Sequence, residues 1–562
     1  MQRTIRSIAF VLIVVFSVLV MATGCVVREI SGETKPTVTK PPETKPTEKK
    51  QEETKKTTDE PKVEPPVKLK MFFGDAGIKF PDDVDLSDNP FLNIVEKAAN
   101  VDLEMVQPTY ADFQTKFNLT MASGDIPDIV HCWFHADINK YGADGAFANW
   151  EPLVKNSKIL SKYYTQDMLD MMKTDDGSIY GLYVLNAKTS GATYARIDII
   201  KDILFGDPYA DNDDWYKQLV TPDDWYQLMK KQKEKYPDSV PFSCTGCFMM
   251  ADMFFKAFGV GHDGNGIKLQ VIPNEKYIWG FEAPNAREAV AFHRKLYEEE
   301  LLDKTFVTNT GTEFDNRKYE KDALVFRGDP AAVIGMQTEF AKRGNTKAVV
   351  GPVHNPIAPG VSPKSAYWVN SPLGWHIVSI NKKSPNIDAA VRVFEVLIDP
   401  EFCHQMAWGR EGIEYFVRQD GSKVLDIEAS NETSYRVAYT FMRAYWFQDN
   451  LDVRAAQMLP KLDASQASTF KKSWEIGIPI WQKESAQVPE VTAESFVPSI
   501  PDLAPKMKEA RELSKAIIFK AVMGEISMEE YDNQVKDFLN KYNYIPEAYT
   551  KSYKEVLKER GQ

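Results

Sequence analysis

Apolar runs that switch between two periodicities constrain this chain more than any other feature. Leu69-Lys70-Met71-Phe72-Phe73 reads as a short strand, broken by Gly74-Asp75-Ala76-Gly77. Asn89-Pro90 opens a helix through Phe91, Ile94, Val95 and Ala98, and Asp102-Leu103-Glu104-Met105-Val106 alternates like a half-buried strand. Tyr110 to Met121 is helical, stopped by Ser123-Gly124, and Asp128-Ile129-Val130-His131 makes a third strand. Strands separated by single helices pair in parallel through crossovers, so the spacing predicts an α/β layer.

The chain ahead of this body has a different character. Arg3 and Arg6 lead into an apolar run from Ile8 to Met21 that ends at Ala22-Thr23-Gly24 and then Cys25. A positive start, a short apolar stretch and small residues at a cleavage point describe an export signal. The run is shorter than the roughly 20 apolar residues a comfortable membrane span needs. A cysteine directly after the cleavage point resembles the lipobox of bacterial lipoproteins, with Ala22 where that pattern prefers Leu. The resemblance implies a signal peptide over residues 1–24 and lipidation at Cys25. Val26 to Val67 is almost entirely Thr, Lys, Glu and Pro. So little apolar surface cannot offset ordering entropy, which predicts a disordered, proline-stiffened linker over residues 25–68.

From Leu69 onward the composition is that of a globular protein, and length suggests two or three compact units. A net charge of -12 and the absence of a basic stripe argue against a nucleic-acid partner. No second long apolar run follows Met21, so the body is expected to meet the membrane through its lipid alone. The 11 Trp and 24 Tyr suit amphipathic ligands, since each ring joins an apolar face to a polar handle. Cys244-Thr245-Gly246-Cys247 is compatible with a local disulfide or two thiols, with a redox pair, or with half a metal site. No second ligand pair at zinc spacing accompanies it, and the seven His are scattered.

A colinear series of short motifs then carries a family resemblance. Met121-Ala122-Ser123-Gly124-Asp125-Ile126-Pro127-Asp128-Ile129-Val130 resembles a signature of the extracellular solute-binding proteins of ABC importers. Trp150-Glu151-Pro152-Leu153 is similar to a loop of that family, and Asp176-Gly177-Ser178-Ile179-Tyr180-Gly181-Leu182 to its approach to the hinge. Arg196-Ile197-Asp198-Ile199-Ile200 and Thr221-Pro222-Asp223-Asp224-Trp225 resemble two of its helix starts. In the second half, the stretch from Asn386 to Glu401, the turn Gly409 to Tyr415, and the tail from Ile517 to Tyr531 continue the series. Together they resemble the family 1 proteins of the LipO-like lipoprotein subgroup of Gram-positive bacteria.

The resemblance implies a periplasmic-binding-protein-like α/β fold, type II-like, in which hinge strands join two lobes around a ligand cleft. The expected division is 69–185 plus about 325–380 for lobe 1, and 186–324 plus about 381–562, with the C-terminal helices, for lobe 2. The implied function is capture of an oligosaccharide and its delivery to the permease subunits of an ABC transporter. The receptor is expected to be a lipid-anchored monomer on the extracellular face of the cytoplasmic membrane, without cofactor. Relatives often carry a calcium loop before an Ile-Pro-Phe segment; here Lys233 to Phe242 offers too few oxygen ligands. Asp211-Asn212-Asp213-Asp214 and His262-Asp263-Gly264-Asn265-Gly266 lack the ligand count of such a loop, so no metal is expected.

Sugars call for flat aromatic faces and planar polar groups, placed in loops just after strands. That criterion selects Trp133, with His135 beside it, and Asp75; Tyr183 and Asn186 in the expected hinge crossing, Phe242 and Ser243 after an apolar turn expected to face the cleft, Trp375 ahead of the strand at the returning hinge, and Arg443 with Trp446, a guanidinium and a ring close together, complete the candidate ligand contacts. Trp225, Trp408 and Trp474 sit in helical patterns and are expected in the core. A carbohydrate-active enzyme would share the aromatic content but needs two paired carboxylates, and no signature places such a pair. Neither G-x-S-x-G, H-E-x-x-H nor a P-loop occurs, so no catalytic residue is expected. A sensor or adhesin lipoprotein, and a peptide or other small solute as ligand, remain the alternatives.

Overall fold

The computed structural model describes residues 65–74, 78–188, 192–245, 252–328, 333–367, 369, 371–442 and 447–562. Cys25 with its linker up to residue 64, Asp75, Cys247, Arg443 and Trp446 lie outside the described residues; Val67 and Lys68, expected at the end of the disordered linker, instead open the first strand, because they pair with Val101 and Asp102. Eight strands form the two larger sheets: β1 Val67–Phe72, β2 Val101–Val106, β3 Ile129–Cys132, β4 Leu182–Leu185, β5 Ala192–Arg196, β6 Val325–Gly328, β7 Val350–Pro352 and β8 Leu373–Ile380.

The first sheet has the order β2-β1-β3-β8-β4. β1 pairs in parallel with β2 from Val67↔Val101 to Phe72↔Val106, and with β3 at Met71↔Ile129 and Phe72↔Val130. The expected crossovers are therefore present. Alternation along these strands splits the sheet's side chains between two cores. Leu69, Met71, Ile129, Val378 and Ile380 pack on one side, and Phe72, Val130, Cys132 and Ile377 on the other. The helix Phe113–Ser123 buries Phe113, Phe117 and Met121, one residue per turn, and stops at Gly124, whose φ of 73° suits a residue without a Cβ. It begins three residues later than the periodicity predicts, leaving Tyr110 57% exposed.

β8 runs antiparallel to β3 (Ile377↔Cys132) and to β4 (Leu373↔Leu185). The carboxyl ends of β1, β3 and β4 and the amino end of β8 therefore share one edge. This edge positions the site.

The second sheet, β6-β5-β7, is antiparallel and has its own core, in which Trp225, Trp279 and Trp481 are fully buried. The Thr221 motif is a capping box: its side chain accepts from the Asp224 amide while Asp224 bonds back, and Pro222 sits in the first turn. Trp225, Trp408 and Trp474 are 0%, 4% and 6% exposed, as their helical spacing predicts.

The division of the chain differs from the expected one. Residues 325–352 supply β6 and β7, which pair with Tyr194 and Ala195 of β5, so they belong to the second sheet rather than the first. Residues 387–442 pack on the first sheet instead, through Ala390, Val393, Phe394, Met406 and Tyr439. β8 leads directly into the helix Ile387–Leu397, and that helix folds back onto the sheet from which β8 emerges. The chain thus changes core between Asn186 and Ala192, between Val353 and Leu373, and between Met442 and Leu451. These crossings are tied at the edge: Leu185 N–H donates to Met442 O (3.2 Å) and Asn186 N–H to Pro372 O (2.9 Å).

Among the described residues no helix is long and apolar enough to cross a membrane. The acidic run Asp211–Asp214 is neutralised locally: Asp213 pairs with Lys201 and Asp214 with Lys217, both at 2.8 Å, and Asp211 with Lys472.

Candidate functional site

At the shared edge, β3 changes from buried to open over three residues. His131 is fully buried, Cys132 is buried, and Trp133 is half-buried in the loop beyond. The Trp133 ring stacks on Phe113 at 4.5 Å and 20°, and Tyr110 adds a second ring at 5.7 Å and 30°. Trp375, from the amino end of β8, lies 5.6 Å from Trp133 and is 53% exposed. Two tryptophans from different segments thus form one aromatic platform, and one of them shows half its surface to solvent.

The backbone makes room for this platform at Gly74. A Cβ there would lie 2.7 Å from Cζ3 of Trp133 and 2.8 Å from Cζ of Phe113. Gly74→Ala is therefore expected to displace Trp133 and to destabilise the fold by about 1–3 kcal/mol, the usual range for overpacking. Tryptophan fluorescence and urea unfolding read the two effects; an unchanged emission maximum together with unchanged stability would contradict the packing.

The platform is held by polar contacts. His135 Nε2 donates to the Trp375 carbonyl at 2.6 Å, and the Tyr183 ring packs edge-on against His135 at 4.5 Å. Asn186 Nδ2 donates to Ser371 O (3.0 Å) and Leu373 O (3.2 Å), clasping two chain crossings. His131 Nδ1 accepts from Gly74 N–H (3.3 Å), and its Nε2 meets His376 Nδ1 at 2.8 Å. Trp133, His135, Tyr183, Asn186 and Trp375 are thus brought together. His135 and Asn186 direct their hydrogen bonds to the start of β8, which carries Trp375, and to Ser371 just before it.

Phe242 and Ser243 do not join them. Phe242 is fully buried in the second core, edge-on to Phe254 at 5.1 Å. Ser243 is 2% exposed and donates to Asp303 Oδ2 at 3.0 Å. Their expected role as ligand contacts is corrected by this burial: the apolar turn that seemed to open on a cleft closes on a core. His131 and His376 were missed. A histidine in the fully buried strand Ile129–Cys132 is itself a signal, because a buried polar ring needs a partner.

Burial holds His131 well below the ordinary 6.5, and the neighbouring His376 adds to the effect. Burial, then His135, brings His376 down to about 4. In the second core, burial likewise lowers His293 to about 4. Unfolded, these rings take up protons near pH 6.5; folded, His376 and His293 stay neutral until about pH 4, and His131 is held in the same direction. Between those values the unfolded state binds more protons, so stability is full above pH 6.5 and is lost as pH falls toward 4. Urea midpoints across this window are expected to decline with acidification; a flat profile would contradict the neutral histidines.

The second sheet offers a matching edge, formed by the start of β5 and the ends of β6 and β7. Thr193 Oγ1 donates to Asn355 Oδ1 (2.6 Å), and Asn355 Nδ2 donates to Glu484 Oε2 (2.7 Å). Arg327, Asn355 and Tyr367 line a small recess here of about 20 Å³. Leu185 and Ala192 are seven residues apart, so chain reach keeps the two edges within about 25 Å. A cavity of about 880 Å³ opens elsewhere, among Trp408, Lys423, Leu451, Phe470 and Trp474. Its aromatic rings are at most 6% exposed, so they offer a ligand little stacking area.

Comparison with known proteins places this geometry in context. The family described as "Bacterial extracellular solute-binding protein" matches residues 92–412, more than half of the chain. Lipoprotein LipO of Bacillus subtilis (strain 168) is 26% identical over 293 residues, covering 50% of this chain and 55% of LipO. The fructooligosaccharide ABC transporter substrate-binding protein FusA of Streptococcus pneumoniae serotype 4 is 26% identical over 246 residues, 39% of this chain and 42% of FusA. The chain thus spans about half the length of these curated relatives. Among solved structures, an HMO-binding, ABC-transporter-associated solute-binding protein of Bifidobacterium longum infantis superposes with a TM-score of 0.57. The match is 14% identical over 87% of this chain and 98% of that one, a likeness of fold.

Proposed function

This chain belongs to the family of bacterial extracellular solute-binding proteins, and on that footing we propose that it captures an oligosaccharide between two lobes and releases it unchanged to an ABC transporter permease. The observation that carries the reading is the pair formed by Trp133, beyond the carboxyl end of β3, and Trp375, at the amino end of antiparallel β8, with Trp375 half exposed. A pyranose or furanose presents patches of C–H that pack on such faces, while its hydroxyls need polar groups at the rim. The lobes we assign are 65–185 with 373–442, and 192–353 with 451–562, following the two cores. The names of FusA and of the Bifidobacterium protein support a saccharide as ligand.

Ligand affinity that favours the closed arrangement would shift the lobes toward it, and the closed form would dock on the permease. The lipobox-like cysteine, Cys25, would hold the receptor at the extracellular face of the membrane, as the name of LipO suggests for that relative. The receptor carries out no reaction in this scheme.

A calorimetric and thermal-shift panel of kestose, nystose, alginate oligosaccharides and rhamnogalacturonan fragments tests the reading. A bound sugar at a hundredfold excess over Kd should add about 2.7 kcal/mol of stability. Chromatography should return it intact. Absence of binding across the panel, or cleavage of the sugar, would overturn the proposal.

A further inference from the structure

We propose that His376 presents a fixed Nε2–H donor beside the Trp375 face, its direction set by His131, so that the site accepts a ligand through a hydroxyl or ring oxygen. The inference rests on the capture reading above and deepens it. Its starting point is the Gly74 amide, which can only donate. His131 Nδ1 must therefore accept, and the proton of its neutral ring sits on Nε2. That Nε2–H faces His376 Nδ1 at 2.8 Å, so Nδ1 accepts in turn and the His376 proton sits on Nε2. The opposite tautomer of His376 would set two N–H groups head to head across the same gap.

Geometry then fixes where that proton points. Nδ1 of His376 is turned toward the fully buried His131, and the two rings meet edge to edge, their centroids 4.8 Å apart and their planes only 17° apart. Nε2 lies on the other side of the ring, no hydrogen bond to a protein group occupies it among the described residues, and it is not among the fully buried polar atoms left without a partner. The Trp375 ring is 4.1 Å from His376 and the Trp133 ring 5.6 Å, so the open donor stands at the rim of the aromatic platform. His135, the histidine next nearest, is turned to the Trp375 carbonyl. An aromatic face beside one neutral donor matches a sugar, which offers C–H patches and oxygen acceptors together. A protonated amine has no lone pair and could not accept this hydrogen bond.

Two measurements test this. Long-range proton–nitrogen correlation spectra of histidine-labelled protein at pH 7, without ligand, should show His131 and His376 both protonated at Nε2 alone. A proton on His376 Nδ1 overturns the relay. Second, the panel sugar that binds is titrated against His376→Phe and His376→Gln. The phenylalanine variant should bind about tenfold more weakly, the effect of one lost hydrogen bond, and glutamine, which keeps a donor, should recover most of the loss. Equal binding by His376→Phe and wild type overturns the ligand-facing role. A protein that binds none of the panel defeats the capture reading and the ligand half of this proposal, while the spectra still decide the relay.

Discussion

Trp375→Ala is expected to weaken saccharide binding by about thirtyfold or more while leaving the thermal unfolding midpoint within experimental scatter. The asymmetry follows from exposure. Trp375 is 53% exposed, so truncating it removes little surface that folding buries. It is also the ring that a sugar can reach beside Trp133, and removal of a central aromatic anchor typically costs 2 kcal/mol or more, or about thirtyfold in Kd. Trp133→Ala should behave differently, because its ring also stacks on Phe113 at 4.5 Å. Binding and stability should both fall there. Calorimetric titration and thermal unfolding of the two variants separate these outcomes, and undiminished binding by Trp375→Ala would contradict the site.

Arg196→Met is expected to destabilise the second lobe by about 3–5 kcal/mol, the usual cost of stranding one partner of a buried ion pair. Arg196 closes β5 and is 3% exposed. Its Nε and Nη2 bond Asp198 at 2.9 and 2.7 Å, and its Nη1 reaches Asp322 at 3.1 Å. The guanidinium also lies 4.7 Å from the Phe340 ring centre. Asp198 in turn accepts the Val349 amide at 3.0 Å, so the pair links β5 to the approach to β7. Removing the cation leaves a carboxylate that is 5% exposed without its counter-charge. Adding Asp198→Asn should recover part of the loss, because the stranded charge disappears while an acceptor for Val349 remains. Urea unfolding of the single and double variants reads both effects. A single variant within 1 kcal/mol of wild type would contradict the linkage.

What local pattern could reveal, it revealed well. Strands β1 to β3 and their helices follow from periodicities of two and 3.6 residues, and Trp225, Trp408 and Trp474 are buried as helical spacing implies. Lobe membership was not legible, because a strand's partner is set by contacts far along the chain. Val325–Gly328 carries the same apolar signal whichever sheet it joins, and only its pairing with Ala192–Arg196 decides. The same limit explains Phe242, since an apolar residue after a turn looks alike whether it faces a cleft or a core. Trp133 and Trp375 were legible as rings at strand ends. His376 stands beside Trp375 in the sequence, but its donor becomes meaningful only through His131, 245 residues away.

Small-angle scattering of the full chain with and without a saturating panel sugar tests the central claim most directly. The account predicts a smaller radius of gyration in the bound state, as the lobe whose core includes Leu69 and Tyr439 and the lobe whose core includes Tyr194 and Ile545 close on the sugar between Trp375 and the edge around Asn355. Saturation confirmed by calorimetry with dimensions unchanged would contradict it.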